Sequence, residues 1–138
     1  MRQKKELIDF NPGLKLKLAS LWVSLMFLVI YIDYFHLYMP GSLSDLQRGK
    51  VFVFDISQGF LLAALAAVLI PALMICISVL LPARANRLAN IIAGALNIPL
   101  MLFNLAGEAW IHMVVGAAIE VTLLGLIIYY AWNWPRFM

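Results

Sequence analysis

The chain has 138 residues, 64% of them hydrophobic and only 12% charged, with a formal net charge of +3. A soluble domain carries about 45–50% apolar and about 25% charged residues, and one this small leaves much of its surface in water. An oily soluble helical protein is excluded by run length. There is no charge from Leu18 to Ile32, nor from Ile56 to Ala83, and about 18 or more apolar residues in a row read as a membrane span. The basic balance is not a nucleic-acid signal, because half of the Lys and Arg residues lie in the first 17 positions, beside a span. Membrane lipids are the expected surroundings and no nucleic-acid partner is expected.

Span one is expected over 18–39. Arg2, Lys4 and Lys5 resemble the basic start of a signal peptide, but the apolar run begins late and ends at Met39-Pro40-Gly41 rather than at a small-residue cleavage site. It is therefore read as a retained helix, stopped by Pro40-Gly41. A loop over 40–55 follows. Span two is expected over 56–81 and stops at Pro82. PARANR then reads as a tight turn into span three, over 88–106. Span four is expected over 109–132. Unpaired backbone groups are not tolerated in lipid, so each span is a helix. Short connections make neighbours antiparallel. The expected fold is one all-α four-helix transmembrane bundle covering 1–138.

Orientation follows from the basic residues. Arg2, Lys4, Lys5, Lys15, Lys17, Arg84, Arg87 and Arg136 share one side, whereas Arg48 and Lys50 have the other. The positive-inside rule places both termini in the cytoplasm. Trp22, Trp132 and Trp134 should sit at the inner interface, and Tyr38 and Trp110 at the outer one, as an aromatic belt. Cys76, the one cysteine, lies in an apolar run and reads as a small packed hydrophobe; thiol–disulfide chemistry would need a pair.

With this topology the polar residues converge on the outer third of the bundle. Asp33 and His36 close span one, with Tyr31 and Tyr34 beside them. Asp55 opens span two, Asn104 closes span three, and Glu108 and His112 open span four. Two polar residues lie deeper: Glu120, about 18 Å into span four by helical rise, and Asn97 at similar depth. An ionised carboxylate there costs about 2.5 kcal/mol or more against lipid, so Glu120 must face inward, be protonated or find a partner. Asn90, Asn97 and Asn104 recur every seven residues. This stripe, with Arg87 at its inner end, is expected to face span four as interhelical glue. Pro71 and Pro99 should kink spans two and three. Gly94, Gly116 and the Ala63-xxx-Ala67 pair should allow close helix approach.

Three chemistries fit this cluster. Asp33, His36, Glu108 and His112 have metal-ligand character, although such spacing arises often by chance, and no cofactor is expected. Acid and imidazole groups below the surface, with Glu120 deeper, suit proton or cation handling, which in four helices would need a homo-oligomer. A kinked bundle lined by Asp33, His36, Tyr31, Tyr34, Asn97, Asn104, Glu108, His112 and Glu120 suits a small or lipophilic ligand entering from the bilayer. No catalytic triad or phosphate loop is visible, so the reaction class stays open. The alternative is an accessory structural subunit in which the same residues are interhelical bonds.

The segments LKLKLASLWVSLMFLVIYIDYFHLYMPG and RANRLANIIAGALNIPLMLFNLAG resemble an uncharacterised family of small bacterial four-span membrane proteins. The resemblance covers about the whole chain and brings no activity with it. It implies a multi-pass protein of a bacterial inner membrane. A looser similarity, confined to Asp33 and Pro40, links the chain to four-helix sterol-isomerase and sigma-2-like ligand-binding proteins, and implies a ligand pocket. The small- or lipophilic-ligand site is the leading expectation, ahead of the conducting oligomer and the structural subunit.

Overall fold

In a computed structural model, which describes residues 6–107 and 109–137, four long helices account for most of the chain. They are α1 (Leu14–His36), α3 (Gln58–Leu80), α4 (Ala83–Phe103) and α5 (Ile111–Trp132). Their lengths of 21 to 23 residues give about 32–35 Å at helical rise, enough for a hydrocarbon core about 30 Å thick. Helix α1 packs on α3 and α5, and α4 packs on the same two. The result is a closed up-and-down bundle in which sequence neighbours run antiparallel. Below, the end carrying the chain termini is the terminal end and the opposite one is the loop end.

The helix bounds differ from the expected ones for local reasons. Helix α1 begins four residues early because Gly13 offers its carbonyl to Leu16 and Lys17, and basic side chains at a span's end can reach the interface. Its regular part ends at His36, with Leu37 to Met39 continuing as turns. Ser57 caps α3, its hydroxyl accepting from the Phe60 amide at 3.1 Å. PARANR is not a turn. Leu81 and Pro82 are extended, Leu81 as a residue before proline tends to be, and α4 is helical from Ala83 onward. Helices α3 and α4 continue unbroken through Pro71 and Pro99.

The loop over 40–55 holds two small elements that the sequence pattern did not suggest: a one-and-a-half-turn helix, α2 (Ser42–Gln47), and a hairpin of β1 (Lys50–Val51) on β2 (Phe54–Asp55). Lys50 faces Asp55 across the ladder. Gly41 and Gly49 supply positive φ values of 86° and 78° at the corners. Phe52 takes φ 52° at the hairpin tip, a strained value for a bulky residue, and its ring lies 4.5 Å from that of His36. The hairpin thus rests on the loop end of α1.

The core is built from Leu18, Trp22, Leu25 and Val29 of α1, Met74 of α3, Ala93 and Met101 of α4, and Leu124 and Ile127 of α5. Lipid tails are as apolar as these side chains, so close packing and hydrogen bonds hold the helices together. Two glycines serve this. A Cβ at Gly94 would come within 2.8 Å of Ile128 Cγ1, and one at Gly116 would run into the Ile32 side chain. The close helix approach expected at Ala63 and Ala67 falls in a stretch with little burial: Ala63 is exposed and Ala67 half-buried. The whole loop-end half of α3, residues 58–70, buries no side chain, and its core positions begin at Pro71. The bundle is therefore tight at the terminal end and open at the loop end. Cys76, expected in packing, is on the exposed outer face of α3.

Candidate functional site

The terminal end carries a polar network that joins Asn90 of the expected stripe to Trp22, Ser78 and Asn86, which the sequence pattern had not linked to it. Trp22 Nε1 donates to Asn90 Oδ1 at 2.7 Å, and Ser78 Oγ donates to the same oxygen at 3.2 Å. Asn90 Nδ2 donates to the Asn86 side-chain and main-chain oxygens at 2.7 and 2.9 Å. Asn86 Nδ2 in turn donates to the Ser78 and Leu81 carbonyls at 2.6 and 3.3 Å. All four side chains are fully buried. Lys15 Nζ closes the end of α3 by donating to Leu81 O at 2.7 Å. Arg87 Nε donates to Ala131 O at 3.2 Å, and its guanidinium lies over the Trp132 ring. Two expectations are corrected. Asn90 turns to α1 and α3 rather than to span four, and Trp22 is a core donor rather than a belt residue. The reason is shared: an indole N–H inside a bundle needs an acceptor, and Asn90 is the acceptor within reach. Trp132, Trp110 and Tyr38 are exposed, as belt residues are.

Polar groups of the loop-end half are, by contrast, largely unpaired. Glu120 is 4% exposed near the middle of α5, and its carboxyl finds no hydrogen-bond donor among the described residues. Asn97 is fully buried; its Nδ2 donates to Ala93 O at 2.8 Å, while its Oδ1 has no partner among the described residues. Gly94 lies against Leu124 and Ile128, so one turn further toward the loop end Asn97 and Glu120 stand at the same level on adjacent helices. Asp33 lies eleven residues, about three turns, beyond Trp22 and so leaves the same core-facing side of α1. It is nonetheless exposed, because the unburied half of α3 leaves that side open. The carboxyls of Asp33 and Glu120 are close enough for their charges to interact, and His36 is within electrostatic reach of Asp33.

The other expected residues lie around this centre. His36 and His112 are half-buried, with His36 Nδ1 and His112 Nε2 unpartnered among the described residues; the His112 ring stands edge-on to Trp110 at 6.2 Å. Tyr31 and Tyr34 are exposed on α1. The Tyr34 hydroxyl lies 2.8 Å from that of Tyr38, and this hydrogen bond holds the Tyr38 phenol above its ordinary pKa. Asn104 is exposed at the end of α4, and Asp55 is exposed in β2. Glu108 lies outside the described residues. Among those described, no three His, Cys, Asp or Glu side chains gather into a metal-holding group.

The arrangement, four long apolar helices enclosing unpaired carboxyl and amide groups, is that of a small four-span integral membrane protein. The chain belongs to the family of unknown function DUF6326, whose model matches residues 6–137. No curated protein and no solved structure matches it.

Proposed function

We propose that this protein binds a lipophilic amine drawn from the bilayer, in the loop-end half of the bundle that carries Asp33, Glu120 and Asn97. The supporting observation is a mismatch of donors and acceptors. Two carboxyls and one amide oxygen face this region, and no described hydrogen-bond donor meets Glu120 or Asn97 Oδ1. A carboxylate at mid-bilayer depth costs about 2.5–3.5 kcal/mol when unpaired, so the complement that offsets it is a group both positive and rich in N–H. An ammonium head supplies both, and its alkyl tail suits the exposed apolar face of α3 over 61–70. His36 sits beside Asp33 as a group whose charge would oppose the amine's.

We further propose a bacterial inner-membrane location, and charge placement supports cytoplasmic termini within it. Lys15, Lys17, Arg84, Arg87 and Arg136 lie at the terminal end, against Arg48 and Lys50 at the loop end. A second reading, a cation-conducting homo-oligomer, draws on the exposure of Asp33, which a neighbouring copy would cover. Proteoliposome cation flux that is lost in Glu120→Gln would favour it over simple binding.

The test is equilibrium binding of radiolabelled dodecylamine to protein in nanodiscs, with empty discs as the blank. Saturable binding weakened at least about tenfold in Asp33→Asn and in Glu120→Gln, a loss equivalent to one buried charge contact, supports the proposal. Equal binding in the variants, or equal competition by uncharged dodecanol, overturns it. Loss of stability without any loss of binding would return the same residues to a structural role.

A further inference from the structure

The geometry points to a binding site for one anionic phospholipid in a groove between α1 and α5 at the terminal end. The groove has a volume of about 450 Å³ and is walled by Leu16, Leu21 and Leu126, with Lys17, Ser24 and Tyr130 offering polar groups. A second hollow of about 320 Å³ adjoins it, sharing Lys17 and Tyr130. The two lysines of this helix turn behave differently. Lys15 is committed to the α3 carbonyls. Lys17 is half-buried and has no hydrogen-bond or ion-pair partner among the described residues. An ammonium held in a groove without a counter-charge is matched by a phosphate.

The apolar wall distinguishes a lipid from a free anion. From Lys17 to Ser24 the groove descends two turns, about 10 Å along the helix, and Leu21 and Leu126 line that descent. This is the depth of the upper part of an acyl chain. The phosphate therefore sits at Lys17, where Tyr130 also lines the groove, and one chain lies over Leu21 and Leu126. The site is separate from the Asp33–Glu120 region and does not depend on it.

The probe is phosphatidylglycerol in nanodiscs holding equal phosphatidylglycerol and phosphatidylcholine, with retained lipid read by native mass spectrometry of the full chain. Wild type should keep a phosphatidylglycerol molecule in preference to phosphatidylcholine. Lys17→Gln should reduce that preference about fivefold, the worth of one basic residue near an anionic surface, while Lys50→Gln at the loop end should not. Leu126→Trp, which fills the groove, should displace the lipid without removing Lys17. Equal preference in Lys17→Gln and wild type, retention unaffected by Leu126→Trp, or displacement of the lipid by inorganic phosphate alone would overturn the proposal.

Discussion

Replacing Asn90 by Leu keeps the branched side-chain shape but removes the acceptor shared by Trp22 and Ser78 and the donor to Asn86 Oδ1. The losses on the acceptor side are unequal. Ser78 is in a helix and can turn its hydroxyl to a carbonyl one turn back, as serine does inside helices. Trp22 Nε1 is a donor only, is fully buried, and has no other partner among the described residues. An unsatisfied buried donor costs about 1–3 kcal/mol, and interhelical bonds in membranes are worth about 0.6–1.7 kcal/mol. Asn90→Leu should therefore destabilise the bundle by about 2 kcal/mol, through the orphaned Trp22 indole and Asn86 Oδ1. The assay is unfolding of micelle-embedded protein by titration with a denaturing detergent, followed by circular dichroism. A double-mutant cycle with Trp22→Phe should give a coupling of about 1 kcal/mol, and one with Ser78→Ala less than about 0.5 kcal/mol. A change below about 0.5 kcal/mol for Asn90→Leu, or strict additivity with Trp22→Phe, would refute the assignment of this network as the lock of the terminal end.

Other outcomes follow from single contacts. Gly116→Val should cost about 1–3 kcal/mol in the same titration, because the new branches meet Ile32, and adding Ile32→Val should recover part of it. The Tyr38 phenol should titrate above free tyrosine by ultraviolet absorbance, and Tyr34→Phe should bring it down. Since its folded pKa is the raised one, any stabilisation from this pair is present below the ordinary tyrosine pKa and lost as pH rises through the folded value. Cys76, exposed on the outer face of α3, should react with a lipid-soluble maleimide in membranes and resist a charged, water-soluble one.

The existence and order of the four helices were legible because continuous apolar runs admit one solution in lipid. Their ends were less so. Gly13 and Pro82 set boundaries through local hydrogen bonds and backbone restriction, which hydropathy does not register. The deep placement of Glu120 beside Asn97 was legible from helical rise alone. The partner of Asn90 was not, because a seven-residue stripe gives a direction on α4 but not the rotation of α4 against α1. An indole eleven residues before Asp33 and a serine just before the second connection were the available signals, and both look like interface or surface residues in a sequence. The open loop end was hidden for a related reason: a span facing lipid on every side has the same composition as one that is packed.

The most direct measurement is intramolecular crosslinking of Asp33→Cys with Glu120→Cys, in a Cys76→Ser background, by a short bifunctional thiol reagent in native membranes. The account predicts a rapid crosslink within single chains, with Tyr31→Cys in place of Asp33→Cys giving none. Absence of the Asp33–Glu120 crosslink, or one formed only between chains, would contradict the meeting of these two acids inside one bundle.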